Sequence, residues 1–162
     1  MDMSFEIVSV QKPDNVNVII GQAHFIKTVE DLYEAVIASV PSIRFGLAFC
    51  EASGACLVRF EGSDDELTRC AVDNITRIGC GHTFFIALKD AYPINVLNQI
   101  KNVAEVASIY CATANELQVI VAVTAQGRGV MGVIDGSSPK GIEGQEDRAW
   151  RKGLLRKIGY KL

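Results

Sequence analysis

The run Thr83-Phe84-Phe85-Ile86-Ala87-Leu88 shows no polar alternation after its first residue. A strand made from it must be covered on both faces, so the rest of the chain has to supply a layer for each side. The 3.6-residue patterns provide those layers. Thr28 reads as an N-cap, Glu30 and Asp31 place negative charge in the first turn, and Val29, Leu32, Tyr33, Val36, Ile37 and Val40 form one apolar face ended by Pro41. Ser63-Asp64-Asp65-Glu66 reads as a capping box with Ser63 at the cap, and Gly79 suits the left-handed end of the helix that follows. Pro93 starts a third helix reaching about Asn102, and residues 146 to about 158 form a basic amphipathic one.

Strands are expected at 4–10, 16–20, 44–50, 56–60, 83–88, 107–112, 117–123 and 130–134. The order is therefore ββαββαβαβββα. Helices and strands mix without strict alternation, which predicts an α/β chain with a mixed sheet covered by helices and not a Rossmann fold. A length of 162 residues fits one domain spanning 1–162.

A net charge of −3 argues against a general nucleic-acid binder. No apolar run reaches a membrane-spanning length, and the N-terminus lacks a secretory pattern, so a cytoplasmic protein is expected. The five cysteines are scattered and include no C-x-x-C pair, so no metal site is assigned. Cys56 and Cys111 read as small core residues. Cys80, between two glycines beside His82, is the one place for a reactive thiolate.

The chain has only two histidines, and each follows a glycine at the edge of an apolar run: Gly21-Gln22-Ala23-His24 and Gly79-Cys80-Gly81-His82. Imidazole titrates nearest neutrality and serves as base, nucleophile or ligand. Gly127-Arg128-Gly129-Val130-Met131-Gly132 matches the letters of a dinucleotide fingerprint, but it opens a strand and not a helix. It reads as a glycine-rich hairpin in which Arg128 either clamps phosphate or is merely part of the turn. Glu51 and Asp135, at the ends of apolar strands, are either solvated acids or a general base or magnesium ligand. Tyr92 and Asn95 open a helix and suit either a cap or a base-stacking site; Asn115 suits either a hairpin turn or a ligand loop.

Taken in order, several blocks resemble the adenosine-specific kinase family: residues 21–34, the block Phe45 to Gly54, Gly81-His82 with its strand, Tyr92 to Asn98, Cys111 to Asn115, and Gly127 through Gly136. The likeness runs nearly the whole length of the chain. It implies a small single-domain protein that binds adenosine and its nucleotides, carries a stably phosphorylated histidine, and forms homo-oligomers, trimers or multiples of them. The phosphohistidine would be His82, with His24 as the rival. Serine is commoner in the family where this chain has Ala23, and alanine where it has Cys80.

The residues make a consistent chemistry with that resemblance. An imidazole nitrogen attacks a phosphoryl group of ATP or ADP, with magnesium as an optional companion, and passes it to adenosine. Arg128 and Lys27 neutralise charge, while Asp135 or Glu51 takes the hydroxyl proton. Tyr92, Asn95 and Asn115 hold base or ribose, and His24 helps bind the ligand. The alternative is a module that binds adenine nucleotides without turnover.

Overall fold

The computed structural model describes residues 2–162. The element order is the expected one: β1 (Ser4–Ser9), β2 (Asn17–Ala23), α1 (Thr28–Ser39), β3 (Arg44–Cys50), β4 (Val58–Gly62), α2 (Asp65–Ile78), β5 (Thr83–Lys89), α3 (Pro93–Lys101), β6 (Val106–Thr113), β7 (Leu117–Val123), β8 (Arg128–Asp135) and α4 (Gln145–Lys157). The strands divide into two sheets, ordered β4-β3-β5-β2-β6 and β1-β7-β8. Every pairing is antiparallel, so parallel strands are missing from what the sequence suggests as one mixed sheet. The reason lies in the connections. No helix crosses between hydrogen-bonded parallel neighbours, and β7 and β8 are joined by a turn too short for any other pairing.

β5 lies at the centre of the larger sheet and is buried on both faces. Phe84, Ile86 and Leu88 pack beneath α1 and α3 with Leu32, Val36, Val96 and Ile100. Phe85 and Ala87 face the opposite layer, where Leu67, Ala71 and Ile75 of α2 meet Leu117, Val119 and Val121 of the small sheet. Burying each of these side chains contributes roughly 1.5–3 kcal/mol. α2 rests directly on β3. A Cβ placed on Gly46 would stand 2.1 Å from the Thr68 backbone nitrogen, so only glycine permits that approach.

Local signals shift by a residue at two helix starts. Asp64, not Ser63, caps α2 by accepting from the Leu67 N–H at 3.0 Å. Ser63 instead ties β3 down, accepting from Phe45 N–H and donating to the Ile43 carbonyl. Thr28 is the first helical residue of α1 rather than its cap, and its hydroxyl donates to the Phe25 carbonyl. Gly79 takes the expected left-handed conformation, with φ of 61°. Cys56 departs from its core assignment: it is exposed, in the β3–β4 turn, with φ of 50°. α4 buries none of its residues.

Candidate active site

Antiparallel pairing brings the C-terminal ends of β2 and β3 beside the N-terminal ends of β5 and β6. His82 stands at the middle of that end. Its N–H donates to the Cys50 carbonyl at 2.8 Å, and its carbonyl accepts from Ala23 N–H at 2.9 Å. Its backbone is left-handed, with φ of 60°. A non-glycine residue there costs about 1–2 kcal/mol, and such strain persists only where the surroundings enforce it. The imidazole lies flat on Phe49, 5.8 Å between centroids and 11° between planes. The rings are therefore offset, and His82 as a whole is half-buried. Among the described residues, no side chain bonds either ring nitrogen.

His24 is exposed at the end of β2, and its N–H donates to the Glu105 carbonyl at 3.1 Å. Three residues on, Lys27 Nζ lies 2.9 Å from Asp31 Oδ2 and 2.9 Å from Glu105 Oε1. Those carboxylates push the Lys27 ammonium above its ordinary range, and Lys27 with Glu105 holds the Asp31 carboxyl below its own. Glu51 accepts from Leu57 N–H and from Arg59 Nη2 at 2.9 Å, and these two bonds hold its carboxyl below the ordinary carboxylate range despite partial burial.

Three buried side-chain polar atoms lack a hydrogen-bond partner among the described residues: Arg59 Nε, Glu105 Oε1 and Glu105 Oε2. Lys27 Nζ, 2.9 Å from Glu105 Oε1, neutralises that buried carboxylate as an ion pair. All three atoms are at the His82 end. Buried polar atoms left without a hydrogen bond are uncommon in folded proteins. The Glu105 carboxylate has its ion pair with Lys27, whereas Arg59 Nε is left without a partner although Nη2 of the same group meets Glu51.

The adenosine specific kinase family profile matches residues 8–161. The chain belongs to the adenosine-specific kinase family. It is similar to the PH1918 protein from Pyrococcus horikoshii OT3, with 48% identity, a TM-score of 0.96 and 99% of each chain covered by the match to that crystal structure. Among curated proteins no match is found.

In this member of the adenosine-specific kinase family, the residues singled out from sequence fall into two groups. His24, Lys27, Glu51 and His82 converge at one end of the large sheet. Arg128 stands close to that end too, but it is already engaged: Nε donates to the Ile78 carbonyl at 3.0 Å, closing α2, and Nη2 to Glu6 at 2.9 Å. Tyr92, Asn95, Asn115 and Asp135 lie at the other end. Seven residues of β5 separate Tyr92 from His82, about 20 Å, and β8 puts about 23 Å between Arg128 and Asp135. Asp135 accepts from Thr113 Oγ1 at 2.7 Å and from Asn115 Nδ2 at 3.0 Å, and Asn95 Oδ1 accepts from Tyr92 N–H at 2.9 Å. Within one chain neither Asp135 nor Tyr92 can meet a substrate held at His82.

Asp31, Arg59 and Glu105 are absent from the sequence-derived set. The i, i+4 spacing of Lys27 and Asp31 is a readable signal for one of them. Nothing in Val103-Ala104-Glu105 marks a buried acid. Burial raises the thiols of Cys50, to about 11, and of Cys80, so the thiolate considered at Cys80 is disfavoured.

Proposed function

We propose that this protein transfers a phosphoryl group from ATP or ADP to the 5′-hydroxyl of adenosine, forming AMP, with His82 carrying the group between them. The observation that supports this reading is the strained imidazole of His82, parallel to Phe49, at the sheet end that also carries His24, Lys27 and Glu51. The unprotonated ring nitrogen forms a P–N bond as the donor P–O bond breaks and the shortened nucleotide leaves. The adenosine oxygen then forms a P–O bond as P–N breaks. Its proton passes to the departing imidazole, with Glu51, at the same end of the sheet, the carboxylate proposed to relay it. Lys27 and His24, at the same end of the sheet, would supply positive charge and donors to the transferring oxygens.

No three histidine, cysteine or carboxylate side chains converge as a metal cage among the described residues. Magnesium would therefore be carried by the donor phosphates, whose charge it would neutralise.

Purified protein incubated with adenosine and γ-labelled ATP is expected to give labelled AMP and an acid-labile phosphate on His82. No AMP with either donor across several divalent ions overturns the reading. A second reading, an adenine-nucleotide-binding module without turnover, is favoured by one observation: Lys27, Arg59 and Arg128 are each paired with a carboxylate already. Calorimetric binding of AMP without product in any assay would select it.

We also propose a homo-oligomer, a trimer or a multiple, working on cytoplasmic adenosine. Support comes from α4, thirteen residues that bury nothing in their own chain while exposing Trp150 and Leu154, with Ile158 exposed at its C-cap. Isolated helices of that length are marginal in water. Residues 145–162 carry six cations against Glu146 and Asp147, so the arm is +4 and the rest of the chain −7. That complementarity suits docking on another copy. Light scattering on wild type and on Trp150→Glu, which should dissociate, checks it.

A further inference from the structure

The small sheet buries its inner face and leaves its outer face bare. Leu117, Val119 and Val121 point into the core. On the opposite side the strand register sets Phe5 against Ala122, Ile7 against Ile120 and Ile134 against Gln118. Phe5, Ile7 and Ile134 are exposed there, and so is Met131, the extra residue where the β7–β8 register shifts. Gly129 and Gly132 lie on the same face, opposite Ala122 and Ile120, and a Cβ on either would meet nothing within 4 Å. Single exposed apolar residues are ordinary, but a contiguous face of them marks an interaction surface. Glycines in one of its strands let another backbone come close.

We propose that this face seats α4 of a second copy of the chain. This rests on the homo-oligomer reading and locates its contact. α1 and α3 cover one side of the large sheet, and α2 with the small sheet covers the other. Among the described residues α4 is therefore the one helix without a seat. Trp150, Leu154 and Ile158 recur at four-residue steps and share one helix face. That stripe is about 12 Å long, close to the ~10 Å between the outer strands of a three-stranded sheet. The arm carries +4 and the rest of the chain −7, so arms repel one another and are drawn to a neighbour's body. The other exposed apolar spot, Ile26 and Phe60 beside β4, is interrupted by Glu30, Arg59 and Glu61. Helix stripe and sheet face are different surfaces, so the contact is head-to-tail and can close a ring of three.

Trp150 is the chain's only tryptophan, so its emission in the full-length protein reports whether α4 is docked. In wild type that emission should be blue-shifted at high concentration. It should move to the red on dilution, in step with dissociation followed by light scattering. Ile7→Lys and Met131→Lys, at exposed positions of the sheet face, should each shift it to the red at fixed concentration. Each should also raise the dissociation midpoint about tenfold or more. Phe60→Lys, on the β4 spot, should change neither. Circular dichroism melts identify any variant that fails to fold, and either sheet-face variant suffices if the other unfolds. An assembly that persists with Trp150 emission unmoved by the sheet-face variants refutes the seat and leaves the homo-oligomer standing. A blue-shifted emission in a monomer, independent of dilution and lost in Ile7→Lys, puts α4 on its own sheet and overturns the second copy. A monomer with water-exposed Trp150 overturns both the seat and the homo-oligomer.

Discussion

The two ends of the five-stranded sheet are made of similar residues and are finished differently. At one end Asp135 is satisfied by Thr113 and Asn115, and Asn95 closes the first turn of α3. At the other, a histidine holds a costly backbone conformation, a buried glutamate side chain has Lys27 as its ion-pair partner, and an arginine keeps one N–H unpaired. Polar residues at strand ends are thus of two kinds. Those that complete their own hydrogen bonds stabilise the fold. Those left incomplete hold capacity for a ligand.

Substitutions at each end can break that contrast. The largest effect is expected for His82→Gly, which removes the imidazole but welcomes φ of 60°. Phosphoryl transfer should fall more than about 10³-fold, while stability stays within about 1 kcal/mol because relieved strain offsets the lost ring contact. Assay and denaturant titration together check this; retained transfer would end the distinction. Asp135→Ala should do the reverse, costing about 1–3 kcal/mol through the Thr113 and Asn115 groups it strands, with kcat unchanged. Acid should weaken the His82 end through its depressed carboxyls. Glu51 and Asp31 have ordinary values of 4.5 and 3.8 and are held lower in the folded chain, so their stabilisation is full above those values and is lost as pH falls through the folded ones. Unfolding midpoints from pH 6 to pH 3 should therefore drop below about 4.5, less steeply in Glu51→Gln. Smallest is Tyr92→Ala at an exposed cap: stability within about 0.5 kcal/mol and no change in the adenosine KM. A raised KM would return the base to the far end.

Much of this was legible in the residues. The apolar run at Thr83 gave away a strand covered twice, because nothing else buries Phe84 and Phe85 in opposite directions. Gly79 and Pro93 were readable because backbone geometry leaves few alternatives there. His24, Lys27, Glu51 and His82 were singled out by residue chemistry, and all four fall at one end of the large sheet. Asp135 and Tyr92 carry equally suggestive chemistry, yet strand direction sends them to the other end. Pairing partners are set by long-range contacts that local patterns do not encode. Glu105 and Arg59 escaped for the same reason: their importance lies in bonds not made, which only the assembled neighbours reveal. The one-residue shift of the α2 cap is of another sort, since Ser63 and Asp64 are both good caps and the tie from Ser63 to β3 decides between them.

The two ends are joined by a strut. α2 has fourteen residues, about 21 Å of helix, anchored at its start where Arg44 grips Asp64 and Gly46 admits Thr68. Its far tip, Ile78, is clasped by Arg128 four residues before His82. A rod fixed this way transmits displacement along its length with little damping. A methyl added at Gly46 would press α2 away from β3 at one end, and Gly79 to Gly81 tie the other end to His82, so the spacing between helix and sheet bears on where that imidazole stands.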